Sequence, residues 1–207
     1  MLDYAKELAR SLFEIEGAYY PPSCTPEGLN TTNNRHLYMF SGPYLGIIFV
    51  WAWKYTRDMG ILKNYSYPFC REQAIFFSNY CMWNEKKKRY RLWPSQPPEL
   101  PLFDSGDATH ILSCLKVVLK HAIEGSRILN VDIELREKWE HLLQYFPEYP
   151  EAGGIFLEGD AYDEKHYISQ TGGLYPVFPC GEYGAESEKD ILDTCIKTYR
   201  TSFTRQS

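Results

Sequence analysis

The chain has 207 residues with 44% hydrophobic content, which excludes wholesale disorder and sets the expectation of one domain over residues 1–207. Its formal net charge is −5, and the short basic run Lys86 to Arg89 reads as a solvated loop edge, so nucleic acid is not expected as a partner. The aromatic fraction is high at 16%, with 17 Tyr and 5 Trp; such rings fill helical cores and also give platforms on which the apolar faces of sugars stack.

Residues 3–15 read as a helix, with Leu8, Leu12 and Phe13 at helical spacing and Gly17 as its stop. A long loop follows over 18–36, full of turn formers. A second helix is expected over 41–58, apolar around most of its circumference and so demanding burial on several sides, with Gly60 ending it. Leu37 to Trp53 is a run of 17 residues without a charge, barely long enough to cross a membrane and interrupted by Ser41-Gly42-Pro43. It reads as half of a buried helical hairpin, and no membrane is expected as a partner. The N-terminal stretch MLDYAKELARS has mixed charge and no apolar h-region, so it does not read as a signal peptide.

The partner helix is predicted over 67–83, with Pro68 in its first turn, where a missing N–H costs nothing. Then comes KKKRYRLWPSQPPELP, from Lys86 to Pro101. Pro94, Pro97, Pro98 and Pro101 favour extended geometry and leave few backbone donors. A stretch stiffened in this way can hold one acid, Glu99, and the rings of Tyr90 and Trp93 in fixed positions. The helix over 108–129 carries the strongest periodic signal, Ala108, Ile111, Leu112, Leu115, Val118, Leu119, Ala122 and Ile123 on one stripe, with Asp104 to Asp107 as N-cap candidates. Asn130 is a C′ residue, and Asp132 is placed to cap a further helix over 133–145 that Pro147 closes. The rest is irregular up to a last helix over 187–201, apart from a short strand pair around 154–157. This is a mainly α chain built from αα-hairpins.

Six scattered cysteines form no C-x-x-C pair, so no metal site of zinc type is expected, and Cys114 reads as a buried free thiol. Four acids, Glu158, Asp160, Asp163 and Glu164, crowd the segment LEGDAYDEKHYISQTGGLYP ahead of His166 and Ser169. They read either as half of a carboxylate pair for acid–base work with Glu99, or as a solvated acidic loop. Inverting glycosidases set such groups ~6.5–9.5 Å apart to admit a water. No G-x-S-x-G elbow surrounds Ser169, and Gly172-Gly173 lacks the strand and lysine of a phosphate loop.

Taken together and in order, ARSLFEIEGAYYPPSCTPEGLN, YLGIIFVWAWKYTRDMGIL, YPFCREQAIFFSNYC, RLWPSQPPEL, DATHILSCLKVVLKHAIEGSRILNVD and KHYISQTGGLYP resemble the catalytic domain of glycoside hydrolase family 95. That family contains α-L-fucosidases and some α-galactosidases. The resemblance implies αα-hairpins forming part of an (α/α)6 toroid, a six-hairpin glycosidase-like fold. Six helices are half of such a toroid, and their uncovered apolar faces would be open to self-association. The implied substrate is an oligosaccharide, and the chemistry requires no metal or organic cofactor. The family's general acid lies in a Ser-Pro-Glu-Asn word, which corresponds here to Pro97-Pro98-Glu99-Leu100, so Glu99 matches the acid while Pro97 and Leu100 differ from its flanks. The family's His-Arg-His-x-Ser-His sugar-binding word corresponds to Lys165 to Gln170, where Ser169 keeps its type and His166 is displaced by one position. Trp93 and Tyr90 would line the sugar pocket. The Asn-x-Asn and Gln-Ile-Asp-Gly-Asn-Phe words that supply the family's water-activating groups do not occur in these 207 residues.

Overall fold

The computed structural model describes residues 2–25, 30–31, 36–97, 105–162 and 172–204. Helix α1 (Leu2–Phe13) buries Ala5, Leu8 and Ala9 and stops at Glu14, whose φ of 58° no helix can continue. Gly17 follows at φ 105°, where the chain passes so close to the neighbouring helix that a Cβ would fall 2.3 Å from the Phe76 backbone nitrogen. Only glycine meets both demands.

Helix α2 (Ser41–Thr56) ends two residues short of the expected 58, because Arg57 enters the left-handed region. Gly60 is not a stop. The Asp58 carboxylate accepts the Gly60 N–H at 2.6 Å and starts a new turn, α3 (Met59–Ile61), which runs through a π-helical stretch, Leu62–Ser66, into α4 (Tyr67–Tyr80). Pro68 therefore lies within a continuous helical path rather than at a free start. The wider π turn, in which the Tyr67 N–H bonds the Leu62 carbonyl, lies directly ahead of the proline, whose ring and missing donor disturb a regular ladder. The largely apolar α2 is buried on one face only, by Gly42, Pro43, Gly46, Ile47, Val50 and Trp53; Leu45, Ile48 and Tyr55 on its other side are exposed.

Helix α4 ends at Tyr80, short of the expected 83, because Met82–Asn84 forms strand β1, paired antiparallel with β2 (Arg89–Arg91). The Asn84 side chain accepts the N–H groups of Lys86 and Lys87, both at 3.0 Å, and Lys88 takes φ 50°, so the basic run is the tip of a β-hairpin.

Helix α5 (Thr109–Leu129) is the centre of the fold and packs on α2, on α4 and on α6 (Ile133–Gln144). Its first two turns are buried all round, from Thr109 to Leu115, so the stripe seen in the sequence understates its enclosure. Two short-linked helix pairs, α2 with α4 and α5 with α6, share one core that includes Phe76, Phe77, Ile111, Leu115, Leu119 and Trp139. Asp132 does not cap α6. It sits at φ 52°, and its carboxylate instead accepts the Tyr67 hydroxyl at 2.6 Å and the Arg71 guanidinium at 2.8 and 2.9 Å, tying the two pairs together. The short hairpin β3 (Glu151–Ala152) with β4 (Ile155–Phe156) turns at Gly153-Gly154, both at positive φ. Helix α7 (Lys189–Thr204) holds β4 through the Thr198 hydroxyl, which accepts the Phe156 N–H at 3.0 Å. No helix among the described residues is long and apolar enough to cross a membrane.

Candidate active site

Four chain segments meet at the N-terminal end of α5. Strand β2 runs into Leu92 to Pro97, and the chain returns through Ser105 to Ala108 into the helix. These two arms form a locked neck at the base of the segment that carries Glu99. The Asp107 N–H donates to the Leu92 carbonyl at 2.8 Å, the Leu92 N–H to the Asp107 carboxylate at 2.7 Å, and the Ser95 N–H to the Ser105 carbonyl at 2.9 Å. The Ser95 hydroxyl accepts the Ala108 N–H at 3.2 Å. Asp107 was expected as a candidate N-cap of α5. Instead it stands at φ 50° and secures the neck, and Ala108 begins the helix without a side-chain cap.

The third segment follows β4. The Thr109 N–H donates to the Glu158 carbonyl at 3.1 Å, and the Thr109 hydroxyl donates to the Leu157 carbonyl. Asp160 accepts the Gly106 N–H at 2.6 Å, and its own N–H returns to the Gly106 carbonyl at 3.0 Å. Arg91 bridges Asp107, at 3.3 Å, and Asp160. Burial raises the Asp107 carboxyl above its ordinary range, opposed by the Leu92 N–H and the Arg91 charge. Gly159 is wedged so tightly that a Cβ would lie 2.6 Å from the Ser105 hydroxyl and 3.3 Å from Pro97. Pro97 and Gly159 are thus neighbours in space, although about 60 residues apart in sequence.

The fourth segment is the short 3₁₀ turn Gly172–Leu174. The Gly172 N–H donates to Glu158 Oε1 at 3.0 Å, and Gly173 donates its backbone N–H as well. Glu158 is only 3% exposed, and its second oxygen, Oε2, is buried without a partner. Burial pushes its carboxyl up to about 7 despite the two backbone donors. In the first turn of α5, His110 is also buried with neither ring nitrogen partnered. Burial pushes it down to about 3, so it is neutral. Its ring lies 5.0 Å from Phe40, 5.8 Å from Tyr38 and 5.9 Å from Tyr175, centroid to centroid, with Tyr44 beyond Phe40 at 4.8 Å. Each orphaned polar group costs about 1–3 kcal/mol, and native structures keep few of them.

The Glu158 shift has a measurable consequence. Its folded value lies above the unfolded one of 4.5, so the folded state binds the extra proton and stability falls as pH rises from about 4.5 to about 7. His110 contributes the opposite slope below its unfolded value of 6.5, since its folded value is depressed. Subtracting the wild-type pH profile from that of Glu158→Gln cancels the histidine contribution. The stability gained by the variant is expected to grow by about 3 kcal/mol between pH 4.5 and 8, read by urea unfolding.

Of the residues singled out from sequence, Glu99, His166 and Ser169 lie outside the described residues. Trp93 is 36% exposed, and its ring covers Gly106, where a Cβ would fall 2.8 Å from Cδ1. It lines a shallow cleft of about 360 Å³ with Trp83, Asn84 and Arg91. Tyr90 turns away from Arg91, as alternate strand residues do. Its ring packs on Trp83 and its hydroxyl meets His141 Nδ1 of α6 at 3.0 Å. A larger cleft of about 670 Å³ opens beside the neck, lined by Asp107, Asp160, Tyr149, Phe156 and Tyr183. Arg91 and His110 did not stand out in the sequence, and Asp107 did so only as a helix cap; a histidine in the first turn of the most enclosed helix was the available signal for His110. Among the described residues no group of three or more His, Cys, Asp or Glu is placed to hold a metal ion.

The model of the glycosyl hydrolase family 95 catalytic domain matches residues 3–201. This chain belongs to that family. The family 95 domain also resembles solved structures, among them a putative kojibiose phosphorylase from the human microbiome, at 15% identity and a TM-score of 0.63. That match covers 77% of this chain and 26% of the phosphorylase, so the chain spans about a quarter of that protein's length. No curated protein matches the family 95 domain. Its helix pairs form part of an (α/α)6 six-hairpin toroid.

Proposed function

We propose that the domain acts on oligosaccharides, removing a terminal sugar of α-L-fucoside or α-galactoside type with inversion, and that Glu99 is the general acid. Glu99 protonates the glycosidic oxygen as the bond to the anomeric carbon breaks, while water attacks from the opposite face. Trp93 offers its exposed ring to an apolar sugar face, with His166 and Ser169 bonding hydroxyls, while Tyr90, held by Trp83 and His141, supports the hairpin from behind rather than lining the pocket. The observation that carries this reading is the neck. It fixes both ends of the Glu99 segment against α5, and through Gly159 and Glu158 it joins them to the Gly172 turn, which leads into Leu174-Tyr175-Pro176, the match to the family's closing Leu-Tyr-Pro.

A second reading, a carbohydrate- or protein-binding module without turnover, is favoured by one observation. Pro97 and Leu100 stand where the family's acid word has serine and asparagine, and His166 is displaced by one position in the sugar-binding word. A panel of α-L-fucosides and α-galactosides, followed by release of free monosaccharide and by calorimetry, separates the two. Release at a rate set by the protein supports hydrolysis. Binding without release supports the module, and neither binding nor release overturns a carbohydrate role.

A further inference from the structure

Among the buried polar groups of the described residues that lack a partner, two ionisable side chains are linked through one backbone contact at the N-terminal end of α5. His110 is in the first turn of α5. Glu158 is tied to the residue before it by the Thr109 N–H, at 3.1 Å from the Glu158 carbonyl. Both are nine-tenths or more buried, at 1% and 3% exposure, and His110 Nδ1, His110 Nε2 and Glu158 Oε2 have no hydrogen-bond partner. We infer that His110 and Glu158 are hydroxyl-binding residues of the sugar site, reading neighbouring hydroxyls of the sugar ring whose glycosidic bond is cleaved. The inference rests on the carbohydrate reading given above.

The chemistry of the two groups selects the ligand class. A neutral imidazole presents one donor and one acceptor, and a carboxyl group with one oxygen already engaged by Gly172 presents the other. A hydroxyl is both donor and acceptor and can satisfy either. An ion is disfavoured: burial holds His110 neutral and raises Glu158 toward neutrality, so the end of α5 carries little fixed charge to pair with one. The surroundings suit a sugar ring, with Phe40, Tyr38 and Tyr175 grouped around the imidazole and Tyr44 against Phe40. The purely structural alternative is a core histidine. It leaves both ring nitrogens of His110 orphaned, whereas His121, a buried histidine of the same helix, meets the Ser66 hydroxyl.

That contrast supplies the test. His110→Phe keeps a ring of similar size and removes both orphaned nitrogens, so it is expected to raise Tm or leave it unchanged. The same change is expected to weaken binding of free L-fucose or D-galactose on the order of 10-fold by calorimetry, the loss of one or two hydroxyl contacts. Glu158→Gln, which keeps an acceptor for the Gly172 N–H, is expected to weaken it by a similar factor. Nitrogen-15 spectra of the wild-type histidines, titrated with the same sugars, give a second readout that needs no variant: the His110 ring signals are expected to shift on saturation. Wild-type binding with His110→Phe and Glu158→Gln binding equally well and unmoved His110 signals overturns the inference and leaves the carbohydrate reading standing. Loss of Tm in His110→Phe with affinity unchanged assigns it to the core and also overturns it. Absence of any wild-type binding to either sugar overturns the carbohydrate reading, and this inference with it.

Discussion

Glu99→Gln is expected to lower turnover of unactivated oligosaccharides by about 10²–10⁴-fold, the range contributed by a positioned general acid. Glutamine has nearly the same volume but no proton to give, so sugar affinity and Tm are expected to stay close to wild type. Two further readouts separate this from general damage. An aryl glycoside whose leaving group needs little protonation is expected to lose much less activity than the oligosaccharide. The fall in rate on the alkaline side, which reports ionisation of the acid, is expected to vanish in the variant. An equal loss on both substrates with the alkaline limb intact would remove Glu99 from the acid role.

The second large effect concerns the scaffold. Trp139→Ala is expected to destabilise the fold by about 3–5 kcal/mol, the range for emptying a buried aromatic site. Trp139 is fully buried in α6 and sits in the core shared with α4 and α5. Three rigid helices converge there, so the gap has little means of collapsing, and residual cavity adds to the lost transfer energy. Trp139→Phe is expected to be far milder. It removes a smaller volume and also removes the indole Nε1–H, which has no partner at this buried position. A chain of this size shifts its Tm by about 2–4 °C per kcal/mol, so the two variants are readily told apart by calorimetry. Equal and small losses in both would show that α6 is not packed as described. The consequence reaches the site side as well, because α6 carries His141, which holds the Tyr90 hydroxyl and through it the β1–β2 hairpin that feeds the neck.

Periodicity and stop signals made the main helices legible, and the ends of α5 and α6 fall within a residue of expectation. The breaks between helices were less so. Gly60 looked like a terminator, yet the Asp58 carboxylate restarts the helix across it, a local competition that composition cannot rank. The β1–β2 hairpin was hidden because Met82 and Trp83 extend the apolar pattern of α4, and its turn depends on Asn84 and on Lys88 at positive φ. For the site, the crowding of acids from Glu158 onward was visible, but the sequence could not show that Glu158 is the buried member while Asp160 pairs with Arg91. Asp107 and Asp132 both looked like helix caps. Long-range partners, Leu92 with Arg91 for one and Tyr67 with Arg71 for the other, outcompeted the local role. His110 was passed over because a lone histidine on an apolar helix reads as core until its missing partners are seen.

The central claim is that this family 95 domain cleaves a terminal sugar by single displacement with Glu99 as the acid. The most direct measurement is the anomeric configuration of the first-formed product, followed by proton NMR before mutarotation, on an α-L-fucoside or α-galactoside. Release of the inverted β-anomer, lost in Glu99→Gln, is the predicted result. Release of the retained α-anomer would require a covalent intermediate on a second carboxylate and would contradict the account.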